Sequence, residues 1–221
     1  MVRLFPKLLE VSGRYFLTVL CVGMVLLSHA EADTSVSRSS SESVKLVEAA
    51  QTAAAEAEEL HGGGHIKTAQ PLFDLAELHL DKKNFEEARL LYERVLAIEE
   101  RAYEPDNIEL SGTLIGLARV HVGLGHVDEA EPLYLRALAI LEKAYVSEHP
   151  EAAIYLVETL HNLAYFYKDQ ARYAEAEPLY LRALAIEEKA YGPEHTEVAA
   201  TLFNIASLYE GQTRYAEAEP L

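Results

Sequence analysis

The sequence predicts an all-α fold built by stacking antiparallel helix pairs, and three observations point to it. First, a string returns: EAEPLYLRALAILEKAYVSEH at 129–149 recurs as EAEPLYLRALAIEEKAYGPEH at 175–195, and YAEAEPL opens it again at 215–221. Second, the alanine of that string aligns Ala88, Ala130, Ala176 and Ala218 at intervals of 42, 46 and 42 residues, a period that marks a repeat architecture. Third, the apolar positions follow a helical period. Leu160, Leu163, Ala164 and Tyr167 share one stripe, and Ala176, Tyr180, Ala183 and Leu184 share another.

The chain opens on Arg3, Lys7 and Arg14, followed by the apolar run YFLTVLCVGMVLL at 15–27 and the small residues AEA at 30–32. This order reads as a signal peptide over 1–32, cleaved after Ala32, and predicts a periplasmic or extracellular protein. The apolar run is shorter than the ~20 residues of a spanning helix; the alternative is an uncleaved N-terminal membrane anchor. The one cysteine, Cys21, lies in this segment, so no intrachain disulfide is expected. Residues 33–43, DTSVSRSSSES, read as a Ser-rich linker too polar to pack. Residues 44–61 are rich in Ala and Glu and predict a helix capped by Ser43, ended by Gly62–Gly64.

From 66 onward the repeat units run about 66–107, 108–150, 151–196 and an incomplete 197–221. Thirteen residues before each aligned alanine stand Leu75, Leu117, Leu163 and Ile205, followed by Ala76, Ala118, Ala164 and Ala206. Three residues further on lie His79, His121, Tyr167 and Tyr209. Each unit is therefore a helix, a short polar turn such as KDQARY at 168–173, and a second helix. Gly192-Pro193 stops one helix and Thr196 is expected to cap the next; Pro150 and Asn107 mark the same boundary in earlier units. Pro132, Pro178 and Pro220 fall inside the second helices. An interior proline loses a backbone bond, yet the stripe keeps its phase, so a continuous, kinked helix is expected. The four extra residues of the long interval fit one added turn near 151–154. They advance the phase by ~400° and leave the buried side where it was.

These residues resemble the tetratricopeptide repeat. Leu160-x2-Leu163-Ala164-x2-Tyr167 followed by Ala176-x3-Tyr180-x2-Ala183 matches the family pattern, and the 42-residue spacing with GPEH is similar to the kinesin-light-chain variety and to many bacterial exported proteins. The resemblance covers about 66–221. It departs at His79 and His121, which replace the aromatic, and at Val95. It implies an α-solenoid wound as a right-handed superhelix, whose inner groove binds peptides or extended protein segments. Physics agrees: one helix pair cannot cover its own apolar stripe and must stack on its neighbours.

With the stripe turned inward, the adjacent face of the first helices would line the groove. It carries Phe73, Asp74, Glu77, Ile115 and Arg119, then His161, Asn162, Tyr165 and Lys168, then Phe203, Asn204 and Ser207. Asn offers both a donor and an acceptor to a ligand backbone, and the rings offer contact area.

Other readings are weaker. A formal net charge of −17 suits no nucleic acid. The acidic runs Glu99-Glu100 and Glu187-Glu188 read as solvated helix faces that could also attract a basic partner. His79 and His121 read as structural histidines, and the spacing shows no metal motif. HGGG at 61–64 lacks the G-x-S-x-G that a hydrolase would need, so it reads as a break between helices. No catalytic residue, cofactor or metal is expected: the chain reads as a non-enzymatic scaffold, the alternative being the repeat region of a longer enzyme or regulator. Because the fourth unit breaks off, the chain reads first as the front part of a longer protein; the alternative is a last helix that frays and leaves an apolar edge around Leu202, Ile205 and Leu208, open to self-association.

Overall fold

The structure, a computed structural model, describes residues 35–146 and 152–221, with side chains from 44 onward. The signal-peptide reading and the role of Pro150 lie outside the described residues. Those residues form helices α1 (Ser35–His61), α2 (Ile66–Asp81), α3 (Phe85–Ala102), α4 (Glu109–Leu124), α5 (Val127–Val146), α6 (Ala152–Asp169), α7 (Tyr173–Tyr191) and α8 (Thr196–Gly211), and the single turn α9 (Tyr215–Ala218). No strand occurs among them. Each helix packs on the next, and the first helices of successive units also touch, α2 on α4 and α4 on α6. The molecule is an α-solenoid of helix pairs.

The packing explains the repeat. Two apolar clusters run through the array, and α4 belongs to both: Leu117 and Val120 close the front cluster, while Leu110, Leu114, Ile115 and Ala118 open the rear one. A helix buried on both sides must be apolar nearly all round, as α4 is from Leu110 to Val120. The aligned Leu75, Leu117, Leu163 and Ile205 are all buried, as are Ala76, Ala118 and Ala164 and the second-helix Ala88, Ala130, Ala176, Tyr180 and Ala183. Ala206 and Ala218 are half-buried. Gly116 has its own reason: a Cβ there would stand 2.5 Å from the Tyr92 ring, which lies against the α4 backbone.

Several boundaries differ from the sequence expectation. Helix α1 starts at Ser35, not Val44, and takes in most of the Ser-rich stretch. Serine is only a middling helix former, and the Ala/Glu-rich run propagates back through it, so Ser43 is no cap. The caps of α2 and α8 are His65 and His195, not Thr196. Each imidazole Nδ1 accepts from a backbone amide at 3.2 Å, that of Lys67 or Glu197. Asn107 does accept from the Glu109 amide, at 2.9 Å, and Gly192 ends α7 with φ 87°. Helices α5 and α7 run unbroken through Pro132 and Pro178, but α9 ends before Pro220. The extra residues of the long interval are shared out. Helix α6 begins two residues earlier relative to Leu163 than α8 does relative to Ile205, and α5 reaches Val146.

The expected apolar edge is absent where it was placed. Ile205 and Leu208 are buried and Leu202 is half-buried, because α7 and α9 pack on α8. A clamp fixes that end. Arg214 donates to both oxygens of Glu177, its guanidinium lies 4.1 Å from the Tyr209 ring centre, and the Tyr209 hydroxyl donates to Glu177. One unit earlier Arg172, Glu131 and Tyr167 repeat the same arrangement. The Arg172 hydrogen bonds hold the Glu131 carboxyl below its ordinary pKa. At the first such junction the corresponding residues are His126, Arg89 and His121. Here His121 Nδ1 is buried with no hydrogen-bond partner among the described residues, and Arg89 pairs instead with Glu86 and Glu93 on its own helix.

Candidate functional site

The first helices α2, α4 and α6 present a polar strip along one side of the array. On α2, Glu77 accepts a hydrogen bond from the Tyr92 hydroxyl and faces Arg119 of α4 at 3.5 Å. Arg119 leads on into a cleft of about 360 Å³, where it meets Tyr134 of α5 and Asn162, Tyr165 and Phe166 of α6. Burial pushes the Tyr134 hydroxyl up to about 12, so this wall is an un-ionised hydrogen-bonding group at neutral pH.

Asn162 is also a wall of a second cleft, of about 480 Å³, between the start of α6, the end of α7 and the start of α8. Ile154, Val157 and Ile186 line it with apolar surface, and Glu158, Glu187 and His161 supply polar atoms. Glu187 is 2 % exposed. Its Oε2 accepts from the Thr201 hydroxyl at 2.6 Å, and Thr201 Oγ1 lies 2.9 Å from His161 Nε2. A hydroxyl has one proton to give. With Glu187 ionised, Thr201 spends that proton on the carboxylate and receives one from His161, whose Nε2 therefore carries hydrogen. Thr201 is fully buried, so this chain of bonds ties three helices together and exposes no hydroxyl to a substrate. Burial lowers the His161 pKa and keeps the ring neutral, and it raises that of Glu187, Thr201 opposing. Glu158 is open to water at the rim, yet enough protein surrounds it to raise its pKa, Arg119 opposing.

The structure treats the predicted groove residues unequally. Arg119, Asn162 and Tyr165 meet in one cleft and His161 and Asn162 in the other. Lys168 donates to Ser207 at 2.7 Å, bridging α6 to α8. Asp74 accepts from Gln70 at 2.6 Å. Phe73 leaves the candidate set: it is 6 % exposed and packs edge-on against Tyr92, ring centres 5.6 Å apart. Ile115 is likewise core. Phe203 is 73 % exposed on α8, and neither it nor Asn204 lines either cleft.

The sequence reading missed Glu187. Glu99 and Glu187 are buried and only their neighbours Glu100 and Glu188 are solvated. The stripe Ala176, Tyr180, Ala183 reaches Glu187 at its next helical step, and Ala88, Tyr92, Val95 reaches Glu99 in the same way. The periodicity held the signal; the charge obscured it.

Comparison with known proteins agrees with this geometry. The family model of the tetratricopeptide repeat matches residues 45–101, 81–143 and 155–221. The chain belongs to the tetratricopeptide-repeat family. The match begins at residue 45 and takes in most of α1. The fold is similar to kinesin-light-chain-type nearly identical TPR-like repeats from Podosopora anserina, at 25 % identity and TM-score 0.68, over 82 % of this chain and 84 % of that one. It is also similar to BtubC (BKLC) from P. vanneervenii, at 25 % identity and TM-score 0.60, over 84 % of this chain and 70 % of that one. RapI in its apo form shares the fold at 20 % identity and TM-score 0.64, and this chain spans 46 % of its length. No curated protein matches. The tetratricopeptide array makes this chain a scaffold for protein–protein interaction, of the kinesin-light-chain-like kind.

Proposed function

We propose that the chain is an exported, non-enzymatic scaffold that holds an extended segment of a partner protein along the first helices α2, α4 and α6. The observation that carries this reading is the cleft in which Arg119 of one unit meets Asn162 and Tyr165 of the next. A segment crossing it would find a cation, an amide with both donor and acceptor, and an exposed ring (Tyr165 is 61 % exposed). Residues beside it on the same strip, Glu77 and His161, extend the contact in both directions.

Export rests on the basic start, apolar run and small residues of 1–32. Protein recovered from the native host should begin at Asp33. An N-terminus at Met1 in a soluble cytoplasmic fraction would reject export.

The groove is tested with the Asn162→Ala, Tyr165→Ala double variant. It should lose capture of partners from the extracytoplasmic fraction by at least tenfold while its helical circular dichroism persists. Undiminished capture would reject this face.

A further inference from the structure

The second cleft holds a buried carboxylate whose hydrogen bonding is half complete. Glu187 Oε2 is committed to Thr201 at 2.6 Å. Its Oε1 stands 3.8 Å from His161 Nε2, beyond hydrogen-bond reach, and no other donor meets it among the described residues. That oxygen is not shut away from solvent, so a donor entering the cleft can reach it. The cleft that Glu187 walls is open, apolar along Ile154, Val157 and Ile186, and rimmed by two further carboxylates, Glu158 and Glu197.

The same repeat position in the first unit shows what a purely structural version looks like. Glu99 is buried and bonded to Thr113 at 2.7 Å, as Glu187 is to Thr201. There Phe73 fills the space where His161 stands, and Gln70, hydrogen-bonded to Asp74, takes the place of Glu158. The third unit exchanges a filling ring for a smaller polar one and an amide for a carboxylate. Both changes open and charge the corner.

We propose that the cleft at Glu187 is a pocket for a lysine side chain of the bound partner segment, its ammonium donating to Glu187 Oε1 and its alkyl chain lying on Ile154, Val157 and Ile186. This rests on the groove reading above and names the chemistry recognised at one end of it. Lysine fits better than arginine. A guanidinium gains most from a two-oxygen, fork-like contact, and Glu187 Oε2 is turned to the fully buried Thr201, away from an entering side chain. An ammonium needs only the free one. His161, held neutral by burial, does not compete for it. The charge of the whole chain, −17, favours approach of a cation.

The probe is Nα-acetyl-lysine N-methylamide, titrated into the methyl-labelled full chain and followed by NMR. The methyls of Ile154, Val157 and Ile186 should shift, and those of Val122 and Val127 at the other cleft should not. The norleucine and Nε-acetyl-lysine counterparts should bind at least tenfold more weakly. Glu187→Gln, in which Thr201 still has an oxygen to donate to, should weaken lysine binding at least tenfold. His161→Phe should abolish it by rebuilding the corner the first unit already folds, which keeps the test available if the Glu187 variant is unstable. Equal response to norleucine, unchanged affinity in both variants, or loss only on Glu158→Gln would each overturn the proposal. The readout is the small amine alone. Its failure with partner capture intact rejects the pocket, and its success with capture unaffected by Asn162→Ala, Tyr165→Ala rejects the groove.

Discussion

The corner around Glu99 and the corner around Glu187 come from one repeat template and have diverged in what fills them. Both place a glutamate near the end of a second helix, a threonine of the following helix against it, and a tyrosine, Tyr92 or Tyr180, two steps back along the stripe. In the first, Phe73 seals the space; in the third, half-exposed His161 leaves it open. The second unit shows the arrangement without an acid. Leu141 replaces the glutamate, and Thr159 turns back to donate to Tyr155 of its own helix at 2.7 Å. Three threonines at one repeat position thus make two kinds of bond, and the residue opposite decides which. A repeat array keeps its backbone constant and varies one side chain to turn core into cleft.

That contrast can be broken most forcefully at the ring. Phe73→Ala should cost about 3–5 kcal/mol, as truncation of a buried phenylalanine does. His161→Ala should cost about 1 kcal/mol, the worth of one hydrogen bond at a half-exposed site. Urea unfolding followed by circular dichroism separates the two, and equal costs would show that the corners are alike.

A second measurement sharpens the difference through pH. Burial raises the Glu187 pKa above 4.5, so the folded state holds the proton more tightly than the unfolded chain. The stability this contributes is complete below 4.5 and is lost as pH rises through the folded value. Glu187→Gln cannot ionise. Wild type should therefore lose stability relative to this variant as pH is raised from 4 to 7, and a pH-independent difference would show that Glu187 is not desolvated.

The smallest effect is a control. Lys83 and Ala171, in the turns of the first and third units, both have left-handed backbones, φ 59° and 56°, where Gly125 serves in the second. Lys83→Gly and Ala171→Gly should each gain up to about 1 kcal/mol, because side-chain strain is relieved there. Equal gains would confine the difference between the units to the corners.

Much of the fold was legible because stacking leaves a period in the sequence: Leu75, Leu117, Leu163 and Ile205 recur where a first helix must press on its neighbours. The candidate site was less legible. Arg119, Asn162 and Tyr165 could be read from the face beside the stripe, because helical spacing fixes which residues lie there. Phe73 could not be told from them, because its burial depends on Tyr92 of another helix. Glu187 was hidden by its charge, whose cost is met by a threonine fourteen positions later. The helix caps escaped for a similar reason: an imidazole at 65 or 195 can accept from the backbone as well as a hydroxyl, but it does so far less commonly.

Helix α4, whose two flanks serve different cores, has a consequence for how the molecule can come apart. Cutting the chain on either side of it would strand an oily surface, so neither half is self-sufficient there. The length over which the array melts as a body must then exceed the 42-residue spacing by which the sequence is written.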